Sequence, residues 1–160
     1  NNKIIFGFVG RVARDHKGLD LLLQGFKKYK NEINGNAELW IVGDGQDKSE
    51  LQELSLELNI GSDDNFKGHL FGLEKDLALK QMDVFFHTSR YEGFPMAVLE
   101  ASSFGVPCVV SKETNILEYI QQYEAGIGLS TNTRDDIAKA MKECEEKIEN
   151  RQIKVMNKLI

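Results

Sequence analysis

Residues 4–26 read IIFGFVGRVARDHKGLDLLLQGF, and their periodicity changes half-way. Lys3–Val9 is a short run of Ile, Phe and Val without alternation, as in a strand covered on both faces. After nine residues, Leu19, Leu22, Leu23 and Phe26 recur at i, i+3, i+4 and i+7, which predicts an amphipathic helix over Gly18–Lys30. A strand leading through a basic, glycine-bounded loop into a helix is the first half of a βαβ unit.

The rest of the chain continues the alternation. Asn31–Asn36 is turn-rich, and Glu38–Val42 is a second strand closed by Gly43-Asp44-Gly45. A helix follows over Lys48–Leu58, a short strand at Asn65–Lys67, a helix over Leu73–Gln81 and a strand at Val84–Phe86. Pro95–Phe104 reads as a helix with Pro95 at its first position, where a missing N–H costs least. Pro107–Val110, Ile116–Gln122 and Gly126–Leu129 give strand, helix and strand. Thr133, with Asp136 three places on, starts a last helix whose apolar face is Ile137, Ala140, Met141, Cys144 and Ile148, and which is expected to run to the end of the chain. About six strands alternating with helices predict an α/β protein: a single Rossmann-like domain, its parallel sheet covered on both faces. Ligands of such sheets sit at the carboxyl ends of the strands, so Gly10–Gly18, Gly43–Gln46, Lys67–Gly72 and His87–Pro95 are the loops of interest.

Composition narrows the function. The 160 residues are 41% hydrophobic and 28% charged with two prolines, which excludes a mainly disordered chain. No apolar run approaches the ~20 residues of a membrane helix, and Asn1–Gly10 carries no secretory signal. A net charge of −5 argues against nucleic acid as a partner. Cys108 in an apolar strand reads as a buried, reduced thiol, pointing to the cytosol. Neither it nor Cys144 has a Cys or His at metal-ligand spacing.

Two loops carry chemistry. Gly10-Arg11-Val12-Ala13-Arg14-Asp15-His16-Lys17-Gly18 places three fixed cations within seven residues, before a helix start that itself favours an anion. Arg11 can fork onto two phosphate oxygens and Lys17 offers a point charge, although a solvated basic loop has the same composition. Gly43-Asp44-Gly45 fails the dinucleotide fingerprint, since Lys48 stands at its third glycine, and it reads as a tight turn. The second informative loop is Ser89-Arg90-Tyr91-Glu92-Gly93-Phe94-Pro95-Met96-Ala97-Val98-Leu99-Glu100. Eight helical steps would separate the two glutamates by ~12 Å and ~80°, so they are no acid/base dyad. With Pro95 opening the helix, Glu92 lies in the loop, Glu100 in the second turn, and free N–H groups open around Met96 and Ala97. A phosphate fits that opening, with sugar hydroxyls toward Glu92 and ribose hydroxyls toward Glu100; a loop charge and a helix-surface acid are the alternative.

Glu92 to Glu100 resembles the E-x7-E signature of retaining glycosyltransferases with the GT-B fold, specifically family 4. Phe8-Val9-Gly10-Arg11 with Lys17-Gly18, Leu39–Gly45, Asn65-Phe66-Lys67-Gly68-His69 and Gly105–Ser111 resemble further segments of that family, in order across about Ile4–Ser130. The resemblance implies that Gly10, Arg11 and Lys17 hold the donor diphosphate and that Glu92 orients the donor sugar without acting as a nucleophile. It implies that backbone at Gly93, Phe94, Pro95, Met96 and Ala97 lines sugar and phosphate, and that Glu100 binds ribose. Lys67 and His69 would meet the base. Glu92, Arg11 and Lys17 form the implied catalytic set, and no metal or other cofactor is expected.

The family reaction moves a hexose from a UDP-, GDP- or ADP-linked donor to an acceptor hydroxyl, in polysaccharide or cell-envelope synthesis. Family members have two such halves. The chain is therefore expected to be the donor-binding C-terminal half, inactive alone, with the half that takes the glycan or lipid-linked acceptor outside it. A cytoplasmic location follows, with peripheral contact to the inner membrane for the whole protein. Thr114-Asn115-Ile116-Leu117-Glu118 departs from the family's Gly-Gly before a glutamate, leaving a role for Glu118 open. His16, His69 and His87 read as loop or strand-end residues and Arg90 as a surface charge. A non-catalytic nucleotide-binding module, or an epimerase or phosphorylase half, is the alternative on the same fold.

Overall fold

A computed structural model describes residues 3–33, 35–61 and 64–150. Its six strands are β1 (Ile4–Val9), β2 (Ala37–Val42), β3 (Asp64–Gly68), β4 (Val84–His87), β5 (Cys108–Val110) and β6 (Gly126–Gly128). The helices are α1 (Arg14–Lys17), α2 (Leu19–Ile33), α3 (Lys48–Glu57), α4 (Gly72–Gln81), α5 (Met96–Ser103), α6 (Leu117–Gln122) and α7 (Arg134–Glu149). The sheet is wholly parallel with order β3-β2-β1-β4-β5-β6. This is the doubly wound order, and its switch point lies between β1 and β4.

Two cores flank the sheet. Phe6, Phe8 and Phe86 pack with Leu22, Leu23, Phe26 and Tyr29 of α2 and with Ile137, Met141 and Cys144 of α7. On the other face, Trp40, Phe85, Cys108 and Val110 pack with Leu79 of α4, Val98 and Ala101 of α5 and Ile120 of α6. Both cysteines are free and buried, and burial pushes each thiol up to about 12, so neither is a nucleophile at neutral pH. Among the described residues no helix is long and apolar enough to cross a membrane.

Local packing shifts several element ends. The loop after β1 contains a helical turn, α1, closed by Gly18 in the left-handed region. α2 runs into the turn-rich segment as far as Ile33, which packs against the core, and Lys28–Glu32 bridges its last turns at 3.0 Å. Pro95 is the cap of α5 rather than its first residue. The hydroxyl of Thr133 accepts from the Asp136 N–H, as the sequence suggested for α7. That helix closes on Asn150, and its expected continuation lies outside the described residues.

The exits of β1 and β4 interlock. Gly18 has φ +61°, and a Cβ there would lie 2.0 Å from the Thr88 carbonyl oxygen. Thr88 Oγ1 donates to the Gly18 carbonyl at 3.2 Å, and the Arg90 N–H donates to the His16 carbonyl at 3.0 Å. Arg90, which reads from sequence as a surface charge, grips buried Asp20 of α2 with both Nη atoms at 2.9 and 2.8 Å. Asn132 adds bonds to the Thr88 and Ser89 carbonyls at 2.9 and 3.2 Å. Gly18→Ala combines a strained dihedral with a backbone clash. It is expected to cost ~2 kcal/mol or more and to lower the melting temperature by several degrees in a thermal scan.

Candidate functional site

The interlocked exits form one wall of a cleft of about 550 Å³ at the carboxyl ends of the strands. All four loops singled out by topology reach it: Gly10, Arg11 and Lys17 from the first, Gly43 and Asp44 from the second, His69 and Leu70 from the third, His87 and Glu92 from the fourth. The first two loops touch backbone to backbone. Gly43 has φ +142°, and a Cβ there would fall 1.8 Å from the Gly10 carbonyl oxygen, so the tight turn requires glycine.

Glu92 is the electrostatic centre. Its Oε2 accepts from Lys17 Nζ at 2.7 Å, His87 Nε2 at 2.9 Å and Ser89 Oγ at 3.2 Å. Only 9% of its side chain and 13% of that of Lys17 are exposed. Asn115 Nδ2 donates to the Glu92 carbonyl at 2.9 Å, fixing the loop. The His87 hydrogen bond, followed by the bond and charge of Lys17, holds the Glu92 carboxyl well below the usual carboxylate range against the opposing effect of burial.

Other cleft charges are also paired. Arg11 Nη2 donates to His16 Nδ1 at 2.8 Å, and the His16 ring packs edge-on to Tyr91 at 4.5 Å. Burial, then the charge of Lys17, lowers the His16 pKa. Glu100, one helical turn into α5, meets Lys75 Nζ of α4 at 2.9 Å. No side chain caps α5: the Met96 N–H turns back to the Phe94 carbonyl at 3.0 Å, and Ala97 lines the cleft beside it.

Most residues singled out from sequence therefore converge, with Phe94, Pro95 and Met96 completing the lining. Lys67 does not: its Nζ lies 4.2 Å over the Trp40 ring, outside the cleft lining. Gly93 is also outside the lining, in open space. The Met96 N–H, expected to be free, is used by Phe94. His69 lines the cleft with its ring 4.2 Å from that of Phe71. Glu118 lies apart, in a separate depression beside Lys112 and Tyr119. The sequence reading gave no site role to several residues of the lining, among them His87 and Lys75. His87, 2% exposed, is a polar residue at the ligand-facing end of β4, the signal that marks it. Lys75 resembles a surface lysine and carries no signal of its own. Among the described residues no group of three or more His, Cys, Asp or Glu side chains is placed to hold a metal ion.

The glycosyl transferases group 1 family matches residues 1–157. The chain belongs to that family. It is 34% identical over 114 residues to the UDP-Gal:alpha-D-GlcNAc-diphosphoundecaprenol alpha-1,3-galactosyltransferase of Escherichia coli, covering 69% of this chain and 28% of that enzyme. It is 32% identical over 127 residues to a GDP-mannose-dependent alpha-mannosyltransferase of Corynebacterium glutamicum, covering 78% and 27%. The fold matches Anabaena HepE, solved with UDP and glucose, at TM-score 0.80 and 20% identity, over 98% of this chain and 41% of that one. The matched part of the chain thus spans less than a third of the length of either enzyme.

The depressed Glu92 pKa ties stability to pH. A carboxylate held below its unfolded value of about 4.3 adds stability that is complete above that pH and is lost as pH falls below it. Glu92→Gln should lack this contribution. Its melting temperature should therefore fall less steeply than that of the wild type between about pH 5 and 3; parallel curves would contradict the assignment.

Proposed function

We propose that this cleft binds a nucleotide-sugar donor and that the chain is the donor half of a retaining, family 4 hexosyltransferase. The acceptor, a glycan or lipid-linked sugar, would be held by a second half of the protein. One observation carries the reading: the cations Arg11, Lys17 and Lys75, a helix N-terminus with no side-chain cap and the separated carboxylates Glu92 and Glu100 face one cleft. The names of the relatives support it, since they specify UDP-galactose and GDP-mannose. A role in bacterial polysaccharide or cell-envelope synthesis and a cytoplasmic site of action belong to the same proposal.

The chemistry follows from the charges. As the glycosidic bond breaks, negative charge builds on the departing diphosphate. Once the donor has bound, Arg11, Lys17 and the Ala97 N–H at the start of α5 would already stand at the diphosphate, so this stabilisation would need no reorganisation at the moment of reaction. Glu92 accepts from hydroxyls of the hexose and orients it; Glu100 accepts from the ribose hydroxyls. Fixed cations supply the countercharge, so the proposal includes metal-independent donor binding. Of the base-edge segment expected at Lys67–His69, His69 lines the cleft, followed by Leu70, and would meet the base.

Calorimetric titration of the chain with UDP, GDP and ADP tests the reading. Binding of at least one of them, insensitive to EDTA and weakened about 10- to 100-fold in Lys17→Ala, is expected. A folded chain that binds none of the three overturns it. A second prediction comes from the ion pair. Glu92→Gln frees Lys17, so it should tighten the bare nucleoside diphosphate by roughly fivefold, the worth of ~1 kcal/mol. The same variant should abolish hexose transfer by the full-length enzyme.

A further inference from the structure

On the donor-binding reading, a diphosphate in the cleft would compete with Glu92 for Lys17, one of its three donors. Lys17 is a compact charge on a flexible stem and will be drawn to the phosphates. Such a shift would take the 2.7 Å donor from Oε2 and leave the carboxylate with His87 and Ser89. The two remaining donors differ. Ser89 is a rotatable hydroxyl at 3.2 Å, whereas His87 is a flat ring, 2% exposed, with Nε2 at 2.9 Å. It lies nearly parallel to Phe8 and Phe85, each ring centre 5.9 Å away at 22° and 18°.

The hydrogen-bond inventory of that ring is also one-sided. Nε2 donates to Glu92, and Nδ1 is buried with no partner, so the ring's polar contact among the described residues is the one with the carboxylate. A histidine placed only for packing between two phenylalanines would not need to aim its nitrogen at a functional acid. The other Glu92 oxygen, Oε1, has His16 Nε2 at 3.8 Å, beyond hydrogen-bond range. It is the oxygen left for a hydroxyl of a ligand.

We propose that His87 is the positioning residue of Glu92: by donating from Nε2 to Oε2 it holds the carboxylate in place, with Oε1 turned to the donor sugar, after Lys17 has moved to the diphosphate. The assignment rests on the donor-binding reading above. It adds a residue that the motif-based site does not contain and predicts that phosphate and sugar recognition separate at position 87. The groups facing Glu92 are Lys17 and His16 of α1, His87 of β4 and Ser89 beyond it.

Two measurements decide it. The first needs no nucleotide: carbon-13 NMR titration of the Glu92 carboxyl in the wild type, His87→Phe and His87→Gln. Phenylalanine keeps the ring stack without the donor, and glutamine returns an N–H near the Nε2 position. The carboxyl should titrate closer to the ordinary range in His87→Phe and return toward the wild type in His87→Gln. His87→Leu replaces the phenylalanine variant if that one does not fold. The second compares UDP with UDP-galactose, and GDP with GDP-mannose, by calorimetry. The affinity gained by adding the hexose should fall by about tenfold in His87→Phe and recover in part in His87→Gln. A Glu92 titration unmoved by either apolar variant overturns the proposal, as does an undiminished hexose gain. If the wild type binds no nucleotide, the donor-binding reading fails, and the NMR titration still decides whether His87 holds Glu92.

Discussion

The contact of Gly18 with the Thr88 carbonyl fixes the geometry on which the cleft depends. β1 and β4 are neighbours only because the chain reverses direction across the sheet between them, and each leaves the sheet with a loop that must find a partner. A residue without a side chain lets the end of α1 settle onto the backbone beyond β4, where any Cβ would collide. Lys17 precedes that glycine and Glu92 follows Thr88 by four residues, so docking one backbone on the other brings cation and acid to 2.7 Å. Arg90 and Asp20 lock the same junction from behind with a two-pronged bond. Asp20 is 7% exposed, so losing Arg90 would leave a nearly buried charge with Arg14 Nε at 3.8 Å and without its two-pronged partner, which is costlier than losing a surface pair.

The fold was legible because hydrophobic period and loop position are local signals. The change at Gly10–Gly18 from a continuous apolar run to a 3.6-residue repeat identified a βα unit, and repetition of that pattern implied the parallel sheet. Topology then pointed to the four loops before any residue was weighed, and all four line the cleft. What escaped depends on tertiary geometry. Lys67 and His69 are two residues apart and would share a face in a regular strand. The register between β2 and β3 shifts at Val42, and Gly68 sits at φ +77°, so Lys67 lies over Trp40 while His69 lines the cleft. Arg90 reads as a solvated charge because its partner, Asp20, is 70 residues away. His87 stands at the ligand-facing end of Val84-Phe85-Phe86, a signal of position only; the bond to Glu92 is what shows a directed imidazole.

On the donor-binding reading, an acidic chain would hold an anion in a cleft of paired charges. Its cations do not stand free: Lys17 faces Glu92, Lys75 faces Glu100, and Arg11 donates to His16. Such pairing lowers the field that a bare phosphate would feel, because each cation must first be drawn from its partner. A ligand carrying both charge and hydroxyls meets a different balance. On the donor-binding reading, its phosphates would take Lys17 while its hydroxyls would replace the donors that Glu92 and Glu100 lose, so no carboxylate would be left buried and unsatisfied. A diphosphate alone satisfies only the cationic half of the arrangement. On the donor-binding reading, the same pairs that weaken the grip on a spent nucleoside diphosphate favour the intact sugar nucleotide. That difference arises from where the hydroxyls are, not from extra positive charge. It requires a carboxylate that stays in place when its lysine leaves, and a ring confined beside two phenylalanines suits that task better than a second mobile chain.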